Sequence, residues 1–334
     1  MTPQRVLVTG GGGFLGRAVV ERLVNRGDQV RSLSRSVYPE LTAMKVEQIR
    51  GDISDPDAVD RACTGMDQVF HVAAKPGVWG DYSIYYRTNF TGTENIVNAC
   101  RRHGISRLIY TSSPSVVFNG TDMEGVNESV PYPDTFHTPY QKTKAMAERL
   151  VLNAAGADLK TIALRPHLIW GPRDNHLVPR ILDRAGRLRK VGNGKNRVDT
   201  IYIDNAADAH ILAADALESN PGLSGRVYFI SQDDPVNPWD IINGILAAGG
   251  KPPVTRSVSH RAAWLAGGLL EIIYTIFRLP GEPMMTRFVA DELATSHWFD
   301  ISAAKGDLGY APRVSTEEGL KRLASWLEEL KSSK

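Results

Sequence analysis

The 334-residue sequence predicts an α/β fold, a doubly wound parallel sheet with a smaller, mostly helical lobe. Three observations lead there. Short, uniformly apolar runs alternate with longer helical patterns through the first 165 residues, a glycine-rich turn follows the first run, and helical patterns predominate beyond about Gly171. Strands covered by helices on both faces read as continuous apolar runs, which is the parallel arrangement. Hydrophobic residues are 42% and charged residues 23%, ordinary for a globular protein and against disorder. Lys plus Arg is 39 against 37 Asp plus Glu, a charge of +2 that is too balanced for phosphate neutralisation, so no nucleic-acid partner is expected. No run of about 20 apolar residues is present to span a bilayer. Cys63 and Cys100 are far apart in sequence, and the eight histidines lack ligand spacing, so neither a disulfide framework nor a metal site is expected. Met1 leads directly into a strand pattern without a signal-peptide pattern, and the expected location is the cytoplasm.

The candidate strands of the first half are Arg5–Thr9, Gln29–Ser34, Glu47–Arg50, Gln68–Val72, Arg107–Thr111 and Thr161–Leu164. Helical patterns lie between them at Phe14–Asn25, Pro56–Ala62, Ile84–Arg102 and Thr138–Ala154. The second half carries helical patterns at Leu177–Arg187, Asn205–Leu217, Trp239–Ala248, Ala262–Phe277 and Thr316–Lys331, with isolated strands near Val198–Ile203 and Val227–Ile230. Asp204 and Ser315 suit N-caps, and Glu317 and Glu318 place acids in a first turn that the helix dipole favours. Pro172, Pro253 and Pro280-Gly281 mark turns. The expected division is a sheet domain over 1–172 and a lobe over 173–334, with some lobe segments free to return to the sheet. That lobe would lie over the strand ends, where ligands bind in open α/β sheets.

Val6-Leu-Val-Thr-Gly10-Gly-Gly-Gly13-Phe14-Leu15-Gly16 joins the first strand to the first helix. Gly10, Gly13 and Gly16 allow a tight turn and close approach of backbone to a pyrophosphate, with helix-start amides pointing at it. The sheet domain is therefore read as a Rossmann-type dinucleotide-binding unit. An acid at the end of the second strand would take the ribose hydroxyl of NAD, but this chain has Ser34 followed by Arg35. Without a carboxylate there is no repulsion of a 2′-phosphate, and Arg35 offers it a fork of donors, so the expected cofactor is NADP as NADPH.

Tyr140 and Lys144 stand four residues apart at the start of a helical pattern, on one face. A nearby ammonium stabilises a phenolate and would bring the phenol toward neutral-pH proton exchange. Ser113 lies just past the fifth strand, where a hydroxyl can hold a reacting oxygen, with Ser112 and Ser115 as competitors for the role.

With these motifs in order, the sequence resembles an extended short-chain dehydrogenase/reductase, and specifically the 3β-hydroxysteroid dehydrogenase branch. The glycine loop, Gly51-Asp52-Ile53, His71-Val-Ala73-Ala74, Asn89-x-x-Gly92-Thr93-x-Asn95, Tyr110-Thr-Ser-Ser113, Tyr140-x-x-x-Lys144 and Arg165-Pro166 through Gly171-Pro172 carry that resemblance. Tyr202-Ile-Asp204-Asn205 through His210 extends it into the second lobe. The resemblance implies that Asp52 and Ile53 flank the adenine, though Asp52 reads equally as a turn residue. It further implies that Ala73, Ala74 and Lys75 line the cofactor cleft, that Asn89 supports the site, and that Pro166 to Leu168 pass the nicotinamide. It also implies a homodimer through the outer faces of the Ile84–Arg102 and Thr138–Ala154 helices.

Within that branch, His71 to Gly80, Leu164 to Asn175 and Leu279 to Phe288 resemble bacterial 2-alkyl-3-oxoalkanoate reductases of long-chain olefin biosynthesis. The implied reaction is reduction of the 3-keto group of a β-keto acid, with a hydrophobic small molecule as substrate. Rival readings are a steroid or sterol-4-carboxylate 3-dehydrogenase, a nucleotide-sugar epimerase and an NADP-binding redox sensor. Trp79, His137, His167, Trp170 and His176 come from loops expected near the nicotinamide end. Arg173, Arg180, Arg184, Arg187 and Arg189 read as a solvated face from which one arginine could hold a substrate carboxylate. Ala262–Phe277 is interrupted among charged residues only by Glu271. It reads first as a buried helix, and otherwise as a substrate wall, a contact for partner pathway enzymes or a helix peripheral to a membrane surface.

Overall fold

A computed structural model describes residues 3–332. Seven strands build the central sheet: β1 Arg5–Thr9, β2 Gln29–Ser34, β3 Glu47–Arg50, β4 Gln68–His71, β5 Arg107–Thr111, β6 Lys160–Pro166 and β7 Arg226–Ile230. Their order is β7-β6-β5-β4-β1-β2-β3, and every pairing is parallel. Alternation along β1 shows why both faces are apolar: Val6 and Val8 join one core cluster and Leu7 the other. A Rossmann-like doubly wound sheet is thus the architecture, as the sequence predicts.

The helices that matter for the site are α1 Phe14–Arg26, α2 Pro56–Cys63, α3 Gly92–Arg102, α4 Pro139–Asn153, α5 Leu177–Asp183, α6 Ile203–Ser219, α7 Pro238–Ala248, α8 His260–Ile276, α9 Arg287–Ala294 and α10 Thr316–Ser332. Cys63 on α2 and Cys100 on α3, distant in sequence, are buried free thiols, and the neighbouring Cys63 together with burial raises the Cys100 thiol well above its usual range.

The structure revises several expectations of the second half. The strand expected to stand alone near Val227 is β7, paired with β6 from Arg226↔Ile162 to Ile230↔Pro166. Its neighbour α6 packs against α1, β5 and β6, so residues 203–230 complete the sheet layer from a stretch otherwise read as lobe. Val198–Ile203 is not one strand. Ile201–Tyr202 pairs with Ile169–Trp170, Val198 makes isolated bridges to Val236 and His297, and Ile203 already begins α6. Asp204 therefore sits in the first turn rather than at the cap, bound to Arg22 at 3.0 Å. Ser315 does cap α10, its Oγ accepting the Glu318 amide at 3.2 Å.

The long pattern Ile84–Arg102 is interrupted. Tyr86–Thr91 is a π-helical segment ahead of α3, and Asn89 lies in it. Within α8 only Ala263 and Gly267 are buried, so this is not a buried helix. Ala262, Ala263 and Ala266 wall a cavity, while Leu265, Leu269, Ile272 and Ile276 form an exposed stripe from 56% to 68% accessible. Among the described residues, no helix is long and apolar enough to cross a membrane.

Candidate active site

The cofactor end is fixed by backbone geometry. Gly10 adopts φ +70°, a left-handed conformation, and a Cβ there would meet the Ala73 Cα at 3.0 Å. At Gly16 a Cβ would stand 2.0 Å from the Gly10 carbonyl oxygen, so α1 could not approach the turn with any side chain present. The first amides of α1, at Phe14, Leu15 and Gly16, have no carbonyl one turn earlier within the helix to bind. They form an anion cradle at the carboxyl ends of β1 and β4, and these residues fit a dinucleotide pyrophosphate.

A hydrogen-bond chain ties that cradle to the rest of the site. Thr9 Oγ1 accepts the Val72 and Ala73 amides, both at 3.1 Å, and donates to His71 Nδ1 at 2.8 Å. His71 Nε2 then donates to Thr93 Oγ1 at 2.9 Å, which donates to the Asn89 carbonyl at 2.6 Å. Burial, joined by the Lys144 charge, pushes His71 down to about 3, so it stays neutral and the chain keeps its direction. The Asn89 side chain accepts the Lys75 amide at 2.7 Å and donates to Thr143 at 3.2 Å. This one amide group joins the Ala73-Ala74-Lys75 loop to α4.

At the adenosine end, Ser34 finishes β2 and its hydroxyl lies 3.3 Å from that of Ser32. Arg35 is exposed, forms no ion pair among the described residues, and its charge helps hold the Asp52 carboxyl below the usual range. Asp52 accepts both the amide and the hydroxyl of Ser54, at 2.9 and 2.8 Å, so it does make the turn. Ile53 is buried beneath it against Gly92. Arg31 turns away to Glu47 at 2.8 Å. Tyr38, which sequence reasoning missed, lies over the glycine loop at Gly12.

Tyr140 is the second residue of α4, set by a capping box between Thr138 and Gln141 and by Pro139 at the first position. Its phenol is raised by burial, lowered by a hydrogen bond from Ser113 and raised again by the charge of Glu292. Lys144, one turn on, donates to the Thr111 carbonyl at 2.6 Å and lies 4.2 Å over the Tyr110 ring. Burial pulls it down to about 7 against the opposing pull of Glu148. The expected depression of the Tyr140 phenol by Lys144 is not what acts here; Ser113 supplies the lowering contact. An ammonium has three donors and Lys144 spends one on Thr111, which fits a polar ligand group placed in the cleft. Ser113 caps a short 3-10 turn, its Oγ accepting the Ser115 amide at 3.2 Å and lying 2.9 Å from Ser115 Oγ. Ser112 points into the core and Ser115 lines the cavity beside Ser113.

Beyond Tyr140 opens a cavity of about 590 Å³. Ser113, Ser115, Tyr140, His167, Glu292 and His297 gather at its polar end, and α5, α7, α8 and α9 supply apolar walls such as Ile181, Trp239, Ile245 and Phe288. Leu168, expected beside the nicotinamide, lines it with φ +44°, a strained left-handed backbone held in place by its surroundings. The buried ion pair of Arg165 with Glu148, at 2.6 and 3.0 Å, anchors the strand leading into Pro166. Arg180, Arg184, Arg187 and Arg189 also line the cavity. Arg180 pairs with Glu282 and Arg173 leaves for Glu21, whereas Arg184 donates to the Met284 carbonyl.

The aromatic and imidazole candidates separate. His167 lines the cavity. Trp79 and His137 instead line an adjoining outer groove. Trp170 is fully buried, its indole donating to Thr200 at 3.2 Å and its ring edge-on to Tyr202, so it is a core residue. His176 is exposed ahead of α5 and lies outside the cavity.

Two residues at the cavity were missed as well as Tyr38. His297 donates from Nε2 to the Glu292 carbonyl at 2.8 Å, so its Nδ1 accepts from His167 Nε2 at 2.8 Å. Burial keeps both imidazoles neutral. Burial also raises the Glu292 carboxyl to about 7. The signal for Glu292 lies in α9, where it shares with Phe288, Val289 and Leu293 the stripe that faces the cavity.

A dinucleotide cradle with a phenol, an ammonium and a hydroxyl at one mouth, opening on an apolar chamber, has the parts of an oxidoreductase acting on a keto or hydroxy group. The chain belongs to the 3-beta hydroxysteroid dehydrogenase/isomerase family, whose profile matches residues 7–255. It is 52% identical to 2-alkyl-3-oxoalkanoate reductase of Stenotrophomonas maltophilia (strain K279a), over 96% of this chain and 98% of that one. It is 32% identical to mouse (Mus musculus) sterol-4-alpha-carboxylate 3-dehydrogenase, decarboxylating, over 99% and 93% respectively. Among solved structures, MoeE5 in complex with UDP-glucose and NAD superposes with a TM-score of 0.76 at 26% identity, over 98% of this chain and 99% of that one.

Proposed function

We propose that the protein reduces a long-chain 2-alkyl-3-oxoalkanoic acid to the 2-alkyl-3-hydroxy acid with NADPH, a step of olefin biosynthesis. The observation that carries this reading is the cavity, which Tyr140 and Ser113 line together with apolar side chains of four helices and with Arg180, Arg184, Arg187 and Arg189. The near full-length likeness to a reductase of that name supports it. The sterol relative's name also places a carboxylate on the carbon beside the one oxidised, the same relation as in a β-keto acid. For the cofactor, Ser34 without a carboxylate and the unpaired, exposed Arg35 support NADPH over NADH.

When bound, the reduced nicotinamide supplies the hydride that reaches the keto carbon. The residues of this chain supply the proton and its placement. Ser113 and Tyr140 together grip the keto oxygen, and the Tyr140 phenol gives that oxygen its proton as the new hydroxyl forms. Lys144, one turn along α4, spends one donor on the Thr111 carbonyl and keeps the others for a polar group of the bound cofactor. The apolar walls exclude water, and an arginine at the cavity meets the carboxylate.

The reverse direction gives the cleanest test, because the hydroxy acid does not lose its carboxyl group. Incubated with NADP+ and a long-chain 2-alkyl-3-hydroxy acid, the protein is expected to form NADPH in step with loss of the hydroxy acid. Formation of NADPH from a 3β-hydroxysteroid and none from the hydroxy acid would overturn the substrate assignment.

A further inference from the structure

Two chambers, not one, meet beside Tyr140. Val78 and Phe288 line both the inner cavity and an outer groove of about 990 Å³. The groove runs past Thr138 and Pro139, the two residues before Tyr140, and out between the loop around Trp79 and helix α8. Trp79 stands edge-on to Tyr274 at 6.5 Å, bridging loop to helix. Of the charged residues on this wall, Glu271 binds Arg287 at 2.7 Å, Asp291 binds His260 at 2.7 Å and Asp81 accepts the Ser83 amide at 2.7 Å, while Arg278 forms no ion pair among the described residues. Between them the groove offers a ligand the apolar surface of Val78, Trp79, Trp264, Tyr274, Leu279 and Phe288.

A 2-alkyl-3-oxo acid carries two long chains on adjacent carbons, one on the carbon that bears the carboxyl group and one on the keto carbon. A single blind chamber would force both chains into parallel contact. Two apolar paths diverging at the reacting carbon would take them separately. We propose that the outer groove binds one alkyl chain of the substrate while the inner cavity binds the other, with Val78 and Phe288 forming the divide between them. This rests on the reading of the substrate as a two-chain β-keto acid, and extends it to where each chain lies.

The test compares a two-chain 2-alkyl-3-hydroxy acid with its unbranched 3-hydroxy acid, in wild type and in Thr275→Trp, which fills the groove from α8. Lengthening the 2-alkyl branch is expected to lower the wild-type KM by about fourfold per methylene, the equivalent of ~0.8 kcal/mol per buried CH₂. Thr275→Trp is expected to raise KM for the two-chain acid about ten times more than for the unbranched acid. A second readout does not depend on turnover. A non-reacting two-chain acid brominated on one chain should quench tryptophan fluorescence, and the double variant Trp79→Phe, Trp264→Phe should lose part of that quenching. If both acids turn over but lengthening the 2-alkyl branch leaves KM unchanged and Thr275→Trp changes KM equally for both acids, the groove assignment is wrong and the substrate reading stands. If wild type turns over neither acid, the substrate reading falls and this inference falls with it.

Discussion

At the cofactor end, Gly10, Ser113, Tyr140 and Lys144 stand on strand ends and a helix start of one sheet layer, and backbone contacts hold each in place. At the substrate end, Ile181, Trp239, Ala263 and Phe288 come from four separate helices of the second half, and side-chain packing holds them. The difference separates two jobs. Hydride and proton transfer need atoms placed to a few tenths of an ångström, which strand ends and first turns provide. An apolar chamber needs only volume and shape, which helices can vary without disturbing the chemistry.

That contrast can be broken most sharply at Tyr140. Tyr140→Phe removes the proton donor and is expected to lower kcat by about 10²–10⁴-fold, with cofactor affinity retained in a fluorescence titration. Near-normal turnover would place the proton elsewhere.

Glu292 belongs to the substrate end but carries a titratable group, and its effect should appear in stability. Its folded carboxyl, raised from 4.5 to about 7 by burial, keeps its proton while the unfolded chain loses it. Relative to Glu292→Gln, wild type should therefore be destabilised as pH rises from 4.5 to about 7, by roughly 1–3 kcal/mol, with no further change above. Thermal melting of both proteins across that range checks it; parallel curves would mean the carboxyl is well solvated.

Arg35→Ala should shift the NADPH-to-NADH ratio of kcat/KM toward NADH by about tenfold, the loss of one charge-assisted contact of ~1.4 kcal/mol. The smallest effect is expected on the wall: Ala266→Phe narrows the cavity and should raise KM for a long-chain acid a few-fold, about 1 kcal/mol. A larger effect on kcat than on KM would deny the separation of jobs.

The same contrast governs what could be read from residues. The glycine turn, β1 to β5 and the Tyr140/Lys144 pair were legible because each depends on local rules, a positive φ, an apolar run or a one-turn spacing. The π-helical turn at Tyr86–Thr91 was not, since its wider hydrogen-bond step leaves no distinct side-chain period. The place of β7 in the sheet was hidden because a short apolar run does not name its partner strand. Trp170 was misplaced because proximity in sequence to Leu168 says nothing about which way an indole turns. Glu292 and His297 entered from segments more than 100 residues beyond His167, joined only by packing and by the 2.8 Å contact between the imidazoles.

Which hydroxy compound the wild-type site accepts decides its substrate. The direct measurement is kcat/KM for a long-chain 2-alkyl-3-hydroxy acid, a 3β-hydroxysteroid and UDP-glucose, each with NADP+ and with NAD+, under one set of conditions. The expected result is a maximum for the hydroxy acid with NADP+, abolished in Tyr140→Phe. A maximum for the steroid or the sugar nucleotide, or one that survives Tyr140→Phe, would contradict it.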